Sequence, residues 1–331
     1  MRSIITMLAI LLIAPGCVLR QDDAHSPSIS SQLHIINTGT PEGLRELFCH
    51  TYKPLHLISA HRGGARQNFP ENCIATFENT LKHTYAILEI DPRYTKDGSI
   101  VVHHDTTLER TTTGKGPVAE MTLQDLKELR LKDTEGLVTE FQIPTLDEVI
   151  NWARGKTILV LDQKDVPVED RVRKIEEHRA EAYVIIIVYS FEDARKCYEL
   201  NKNVMMEVMI LDRQKFYQFD KTGIPWRNII AFVGHTPPTD NGLLQMIHAK
   251  GVCCMVGTSR NIDRDFVVNQ AEGTKVFERK YRDLLQLGID VIETDLPIEV
   301  GTLLYGEFEV PTIKSNISTK AVAGNITTYR Q

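Results

Sequence analysis

Three carboxylates in this sequence fall where short apolar runs end. Glu89 and Asp91 lie two residues apart in one run, and Asp162 closes another. Because side chains alternate faces along a β-strand, Glu89 and Asp91 point the same way. Carboxylates on one face repel each other unless they are protonated or bridged by a cation. The three together predict an all-oxygen site for one divalent cation, Mg²⁺ or Ca²⁺, whereas zinc prefers His and Cys ligands.

Histidines and basic residues accompany these carboxylates. The first apolar run ends in His61 and Arg62, a short extended piece ends in His103-His104-Asp105, and Lys164 follows shortly after the third run. Two histidines can share acid and base duties near neutral pH, and an arginine can bind two phosphoryl oxygens at once. The sequence has no serine nucleophile elbow and no G-x-x-x-x-G-K-[ST] loop. These residue types favour metal-assisted displacement at phosphorus over acyl transfer.

Eight candidate strands alternate with helical stretches from about residue 55 onward. Several are almost wholly apolar, which is typical of strands buried on both faces of a parallel sheet. Thr145–Glu148 has the form of a capping box, and Thr122–Asp125 opens another helix in a similar way. The alternation predicts an α/β fold, a (β/α)8 TIM barrel rather than a doubly wound sheet. The candidate strands are Leu55–Ala60, Ala86–Asp91, Thr157–Asp162, Tyr183–Tyr189, Val204–Met209, Ile229–Val233, Val252–Val256 and Asp290–Thr294.

Two long connections interrupt the alternation. The first runs from Ile100 to about Ile143, next to the turn signal Asp97-Gly98, and the second runs from Gly257 to about Gly273. Functional groups in a barrel gather where strands end at their C-terminal side, and long loops there shape the mouth. The predicted helices Phe191–Leu200 and Val276–Leu287 belong to the regular part of the repeat.

Several segments, spread over roughly residues 55 to 300 and densest over residues 59–112, form an ordered set of motifs. They are Ser59–Gly64, Pro70–Asn72, Ala75–Phe77, Glu89–Asp91, Asp97-Gly98, Val101–Thr112, Ile143–Leu146, Leu287–Asp290 and Glu293–Pro297. Together these segments resemble one family, the glycerophosphodiester phosphodiesterases.

The resemblance implies an activity and roles for individual residues. It implies a barrel with a small insertion after the second strand, and metal-dependent hydrolysis of glycerophosphodiesters to glycerol 3-phosphate and an alcohol. His61 and His104 would form the catalytic pair, while Arg62 and Lys164 would bind the phosphate. The choice of His104 over His103 rests on the family's His-Asp pair. Which histidine is the acid stays open.

The metal ligands implied by the resemblance include one departure. Glu89 and Asp91 match the family's ligands, but many members have a Glu where this chain has Asp162. The related sphingomyelinase D-type barrels resemble this chain there, with an Asp before a similarly spaced Lys. Glu207, on the fifth predicted strand, is a further candidate near the site.

Two alternative functions follow from these residues. A sphingomyelinase D-like or lysophospholipase D-like enzyme would act on a lipid phosphodiester, but the sequence shows no clear apolar lip around the mouth. A non-catalytic binding barrel is less consistent with the sequence, because both histidines and all three carboxylates are present.

The N-terminus differs from the rest of the chain. The apolar run Ile4–Ala14 is shorter than the ~20 residues that span a bilayer, so residues 1–17 are predicted to be a signal peptide. Ala14–Cys17 resembles a bacterial lipobox, although Ala14 and Pro15 are atypical there. The expectation is an exported protein, a periplasmic or outer-membrane lipoprotein of a bacterium tethered through Cys17, or alternatively a secreted one.

The remaining chain divides into residues 18–50, a polar tether and N-terminal helix, and residues 51–331, the phosphodiesterase barrel domain. The six cysteines have no metal-type spacing, and those after Cys17 are predicted to be buried free thiols. The net charge of -6 and the scattered basic residues predict no nucleic-acid partner, leaving a small-molecule substrate. The sequence does not indicate the oligomeric state.

Overall fold

Eight parallel strands close into a barrel in the computed structural model, which describes residues 33–50, 56–268 and 274–305. The barrel strands are β1 Leu57–Ala60, β2 Ile87–Ile90, β5 Leu159–Leu161, β6 Val184–Val188, β7 Met205–Met209, β8 Ile229–Phe232, β9 Cys254–Gly257 and β10 Val291–Thr294. Their order around the barrel is β1-β10-β9-β8-β7-β6-β5-β2. Each overlaps a predicted strand, with ends that differ by at most two residues, so the (β/α)8 barrel is confirmed.

Helices follow or precede these strands and cover their outer face. The capping box predicted at Thr145 is present: Thr145 Oγ1 accepts from Glu148 N at 3.1 Å, and Glu148 Oε2 accepts from Thr145 N at 2.7 Å. Phe191–Leu200 is helical as predicted, and the predicted helix at Val276 begins two residues earlier. The helices are α1 Pro41–Leu47, α2 Ile74–His83, α3 Leu123–Lys127, α4 Leu146–Ala153, α5 Val168–Glu177, α6 Phe191–Leu200, α7 Arg213–Asp220, α8 Asn241–Ala249, α9 Ile262–Val268, α10 Thr274–Leu287 and α11 Pro297–Tyr305.

Alternation along the strands divides the core into two layers. One set of strand side chains packs outward against the helices, and the other fills the barrel interior. On β2, Leu88 and Ile90 belong to the outer layer and Ile87 to the interior, which places Glu89 on the interior face. The same alternation turns carboxylates of several strands inward toward the C-terminal end.

The predicted insertion after the second strand is a small subdomain. Strands β3 (Pro92–Tyr94) and β4 (Ile100–Val102) pair antiparallel around the Asp97-Gly98 turn, where Gly98 has a φ of 77°. A short 3-10 turn, Val118–Glu120, and helix α3 follow. A separate apolar cluster holds this region together: Cys73, Val101, Leu108, Val118, Leu126, Leu131 and Ile143.

The N-terminal end of the barrel is closed by residues that precede β1. Ile36, Leu44 and Phe48 are buried in the same apolar cluster as the interior strand residues. The prediction that the cysteines are buried holds for four of the five described, but Cys49 is exposed because it lies just after α1 at the outer edge of this floor. Cys17 and residues 1–32 lie outside the described residues. Among the helices the structure describes, none combines the length and apolarity needed to cross a bilayer.

Candidate active site

The C-terminal ends of the strands surround a polar pocket of about 360 Å³. Six of the seven predicted site residues line it, and Asp91, fully buried, lies within ion-pair distance of two of them. Ser259 and Arg260, from the second long connection, also line the pocket, so that loop shapes the mouth as expected. The lining residues are His61, Arg62, Glu89, His104, Asp162, Lys164, Ile187, Tyr189, Glu207, Met209, Phe232, His235, Ser259, Arg260, Glu293 and Asp295.

Three buried carboxylates converge at the floor of this pocket. One ligand atom each from Glu89, Asp91 and Asp162 lies within 4.8 Å of the others. Burial, and after it the charges of Asp91, Glu293 and Asp162, raises the pKa of Glu89 well above its usual range. Such mutual repulsion is relieved when a cation binds among the oxygens. The donor set therefore fits a divalent cation.

Asp91 is held from two sides. The Asn72 side chain donates to Asp91 Oδ2 at 2.6 Å, and the Asp91 backbone N–H donates to Asn72 Oδ1 at 3.1 Å. On the other side Lys164 Nζ lies 3.0 Å from Asp91 Oδ1 and also contacts Asp162. Asp162 in turn accepts from the Tyr189 hydroxyl at 2.6 Å. These contacts fix the orientation of both carboxylates.

The two phosphate-binding candidates stand on strained backbone. Arg62 and Lys164 adopt left-handed backbone conformations, with φ values of 52° and 42°. Residues other than Gly rarely adopt this conformation, and those that do cluster at functional sites. The Arg62 N–H donates to Glu89 Oε2 at 2.8 Å, so the turn after β1 is tied directly to a metal-ligand candidate. At Gly63, φ is 84° and an added Cβ would lie 2.3 Å from the Phe77 ring, so only glycine fits.

Each of the two candidate catalytic histidines is paired with a carboxylate through Nδ1. The Nδ1 atom of His61 is 2.6 Å from Asp295 Oδ1, and that of His104 is 2.7 Å from Asp105 Oδ1. Both rings line the pocket, and Nε2 is the nitrogen left for a substrate. His103 is instead buried against Thr111 and is not part of the pocket lining, which agrees with the choice of His104.

The two histidines have opposite pKa shifts. Burial opposes the charge on His61, but the hydrogen bond with Asp295 and the charge of Glu293 raise its pKa above the usual value. For His104 burial prevails over Asp91 and Asp105, and its pKa is lowered. His61 therefore keeps its proton to a higher pH than His104 does, which suits one ring to donate a proton and the other to accept one.

Comparison with known proteins identifies the family. Residues 61–299 match the sequence model of the glycerophosphoryl diester phosphodiesterase family. The chain belongs to this family. The family resemblance and the assignment to this class of enzymes are confirmed by this match and by relatives that carry the same name.

Three similar proteins show how far the likeness extends. A glycerophosphoryl diester phosphodiesterase from Parabacteroides distasonis has a solved structure that is 41% identical, covers 86% of this chain and 97% of its own, and has a TM-score of 0.78. A glycerophosphodiester phosphodiesterase from Caldanaerobacter subterraneus is 38% identical over 152 residues, which are 42% of this chain and 62% of that enzyme. A phosphodiesterase from Oleispira antarctica, solved with the product sn-glycerol-3-phosphate, is 20% identical, with a TM-score of 0.58 over 75% of this chain and 96% of its own, and shares the fold.

Two further carboxylates of this phosphodiesterase-family site received no role from the sequence. Glu293 lies on the interior face of β10, and Asp295 follows at the same spacing that separates Glu89 and Asp91. Their Glu-x-Asp spacing in the last strand was a usable signal, because strand alternation turns both toward the pocket. Of the two, Asp295 forms the hydrogen bond with Nδ1 of His61.

Glu207 is an interior residue of the pocket rather than a rim acid. It is 1% exposed, and its Oε2 has no hydrogen-bond partner among the described residues. Burial, with the charges of Glu293 and Asp162, raises the pKa of Glu207 well above its usual range. Its position on β7 follows from the alternation of Met205 and Glu207 toward the interior.

The insertion contributes a network that sequence spacing could not show. Arg110 Nε donates to Asp105 Oδ2 at 2.6 Å, and its Nη atoms donate to both Glu71 oxygens at 2.7 and 2.8 Å. Glu71 also contacts Arg62 at 3.3 Å. Through Glu71, Arg110 therefore links Asp105, the carboxylate that contacts His104, to Arg62, the candidate for phosphate binding.

An apolar groove adjoins the polar pocket, although the sequence shows no clear apolar lip. The two share Tyr189, Met209, Phe232 and His235. The groove continues over side chains that come from the ends of three strands, β6, β7 and β8, and is therefore assembled only in the fold. Its other apolar residues are Val188, Phe191, Val208 and Leu211.

Proposed function

We propose that this family member hydrolyses glycerophosphodiesters to glycerol 3-phosphate and an alcohol. The observation that carries the proposal is the pair of histidines with opposite pKa shifts, His61 and His104, lining one pocket with three clustered carboxylates and two basic residues. The names of the relatives agree with this substrate class. The product bound to the Oleispira enzyme is the one expected here, in a protein of the same fold.

Glu89, Asp91 and Asp162 would hold one divalent cation. An all-oxygen set of buried carboxylates suits Mg²⁺ or Ca²⁺ better than zinc. When bound, the cation supplies positive charge that polarises a phosphoryl oxygen. Asp162 takes the third position although it is one methylene shorter than Glu, because the Tyr189 hydroxyl and Lys164 hold its carboxylate toward the other two.

His104 would act as the base and His61 as the acid. With its pKa lowered, His104 is neutral near pH 7, and its Nε2 can take the proton from an attacking water or glycerol hydroxyl. If the glycerol hydroxyl attacks, the alcohol leaves and a cyclic phosphate forms, which water then opens to glycerol 3-phosphate. With its pKa raised, His61 keeps its proton to a higher pH than an ordinary histidine and can donate it from Nε2 to the departing alkoxide. Asp105 and Asp295 orient the two rings through Nδ1.

Arg62 and Lys164 would bind the phosphate. Their strained backbone directs both side chains into the pocket beside the carboxylates. A guanidinium and an ammonium there stabilise the charge that develops on the phosphoryl oxygens. Glu71 holds Arg62 from behind, so its fork is oriented before substrate binds.

The direct test is glycerol 3-phosphate release from glycerophosphocholine and glycerophosphoethanolamine, measured with Mg²⁺, with Ca²⁺ and with EDTA. We expect metal-dependent release, reduced ~10²- to 10⁴-fold in His61→Ala and His104→Ala, the range for a general acid or base. His178→Ala is the matched control, since His178 also forms a His–Asp pair, with Asp147, and neither residue lines the pocket. Absence of release with every metal would overturn the proposal.

A lipid-directed activity, sphingomyelinase D-like or lysophospholipase D-like, is not favoured by the comparisons. The residues around the carboxylates are polar, and the relatives are named as glycerophosphodiesterases. The apolar groove nevertheless makes lysophosphatidylcholine and sphingomyelin useful arms of the same assay. If these lipids are hydrolysed faster than glycerophosphocholine, the lipid-directed activity would replace glycerophosphodiester hydrolysis as the favoured function. A non-catalytic barrel would release nothing from either class.

We also propose that the protein is exported, as a periplasmic or outer-membrane lipoprotein or as a secreted enzyme. The support is the sequence of residues 1–17, with its short apolar run and Cys17. Cys17→Ser tests the tether: it should move the protein from the membrane to the soluble fraction of the expressing cell. Unchanged fractionation would exclude lipid attachment at Cys17.

A further inference from the structure

A second group of potential metal ligands lies at the opposite end of the barrel from the catalytic pocket. Asp290 directly precedes β10, His248 is in the last turn of α8, and His50 follows α1. One ligand atom from each of the three lies within 4.8 Å of the others. None of these residues has a part in the proposed reaction.

Both imidazoles face the same buried carboxylate. His50 Nδ1 lies 3.0 Å from Asp290 Oδ1, and His248 Nε2 lies 2.9 Å from Asp290 Oδ2. The Asp290 side chain is 2% exposed, whereas those of His50 and His248 are 23% and 15% exposed. The carboxylate is thus enclosed, while an ion can still reach the two rings from solvent.

Contacts with the surrounding backbone place the two rings and the carboxylate side by side. They stack with centroids 3.5 Å apart and planes 5° from parallel. The His50 backbone N–H donates to Gly251 O at 3.1 Å, which anchors it beside the loop after α8. The backbone of Gly288 packs closely against His248, because an added Cβ there would lie 3.3 Å from its Cε1. Asp290 Oδ2 also accepts from Cys254 N at 2.8 Å, which fixes the carboxylate.

We propose that His50, His248 and Asp290 form a second, zinc-type metal site. Two imidazole nitrogens and one carboxylate oxygen are a donor set that zinc favours, with a fourth position open to solvent. Bonds of ~2.0–2.1 Å in a tetrahedral site place donor atoms about 3.3 Å apart. The nitrogen–oxygen separations of 3.0 and 2.9 Å are close to this value. Because the lone pair of an imidazole nitrogen lies in the ring plane and the two rings are nearly parallel, one ring would rotate out of the stack so that both nitrogens point at the ion.

The site would connect parts of the chain that are distant in sequence. Its ligands join the segment before β1, helix α8 and the start of β10 across the barrel floor. A bound ion would stabilise the folded protein over the unfolded chain, in which the three ligands are apart. The all-oxygen catalytic pocket selects Mg²⁺ or Ca²⁺, so the two sites would hold different metals.

The experiment is a Co²⁺ titration of the full chain, stripped with chelator and then kept in excess Mg²⁺ to fill the catalytic pocket. A nitrogen-containing site of low coordination number gives Co²⁺ strong visible absorption, and an all-oxygen octahedral site gives little. We expect one such Co²⁺ per chain, bleached by one equivalent of Zn²⁺, and a higher thermal unfolding midpoint with Zn²⁺. His248→Gln and Asp290→Asn should lose both effects.

Three variants make the outcome decisive. Asp162→Asn, in the catalytic pocket, should keep the absorption. His178→Gln should keep it too: the His178 side chain is 15% exposed, like that of His248, but among the described residues its partner Asp147 contacts no second histidine. His50→Gln tests the same site from another segment if His248→Gln fails to fold. Absence of the absorption in the unmodified chain, or its loss in Asp162→Asn instead, would overturn the proposal.

Discussion

At the scale of single residues, the pocket gives two imidazole groups different pKa values through their surroundings. His61 and His104 are both hydrogen-bonded to an aspartate, yet their pKa values move in opposite directions. Burial lowers the pKa of both rings. At His61 the hydrogen bond with Asp295 and the charge of Glu293 outweigh it, whereas at His104 the positive charges of Arg62 and Lys164 add to it. The assignment of acid and base could not come from the sequence, because both histidines stand next to similar motifs.

The pH profile follows from these directions. The proposed mechanism needs His104 neutral and His61 protonated, so kcat/KM should fall below the lowered pKa of His104 and above the raised pKa of His61. Asp295→Asn removes the partner that raises the pKa of His61, so the alkaline limit should move to lower pH. Asp105→Asn should move only the acid limit, also to lower pH. A profile unchanged by either substitution would contradict the assignment.

Asn72 should matter for metal affinity although it is not a ligand candidate. It bonds both the carboxylate and the backbone of Asp91. Asn72→Ala should raise the metal concentration for half-maximal activity ~10- to 100-fold, as is typical of residues that orient a ligand. Asn228→Ala is the control, since Asn228 is equally buried but bonds Lys202 O far from the pocket. An equal shift in both variants would indicate general loosening of the fold.

At the scale of elements, the strand ends follow from the sequence while the turns after them do not. Apolar runs and strand alternation locate eight strands and turn Glu89 and Asp91 inward. The left-handed conformations of Arg62 and Lys164 leave no such pattern, because they are imposed by the packing around each turn. The Arg110 network is also invisible in sequence, since its partners Asp105 and Glu71 are brought together only by the insertion.

The turn after β1 provides a test at this scale. Gly63 and Gly98 both have positive φ, but only at Gly63 would an added Cβ collide with a side chain, the Phe77 ring. Gly98→Ala should therefore cost ~1 kcal/mol of the free energy of unfolding, from backbone conformation alone. Gly63→Ala should cost a further ~1–3 kcal/mol for the steric conflict. Urea denaturation of the two variants measures the difference, and equal costs would show that Phe77 yields without penalty.

At the scale of the whole molecule, the polar pocket and the apolar cluster that closes the barrel lie at opposite ends of the barrel axis. The pocket collects its carboxylates and histidines at the C-terminal ends of the strands, while the opposite end is closed by apolar residues from before β1. The polar composition predicted for residues 18–50 gives little sign that Ile36, Leu44 and Phe48 belong to the interior core. The apolar residues of this segment are too few to predict a buried face from sequence. They are buried because they cover the open N-terminal end of the barrel.

Phe48→Ala should lower the stability of the fold and leave the activity unchanged. The ring is 1% exposed within the cluster that closes the barrel floor, so its removal leaves a cavity and should cost about 3–5 kcal/mol of the free energy of unfolding. Leu200→Ala is the control, because Leu200 is 49% exposed and its loss should cost little. Because the pocket lies at the far end of the strands, kcat and KM of folded Phe48→Ala should equal those of the unmodified enzyme at a temperature where both are folded. A large fall in kcat with the fold intact would show that the floor and the catalytic pocket are coupled through the barrel interior, and that the interior strand residues transmit packing changes along the axis.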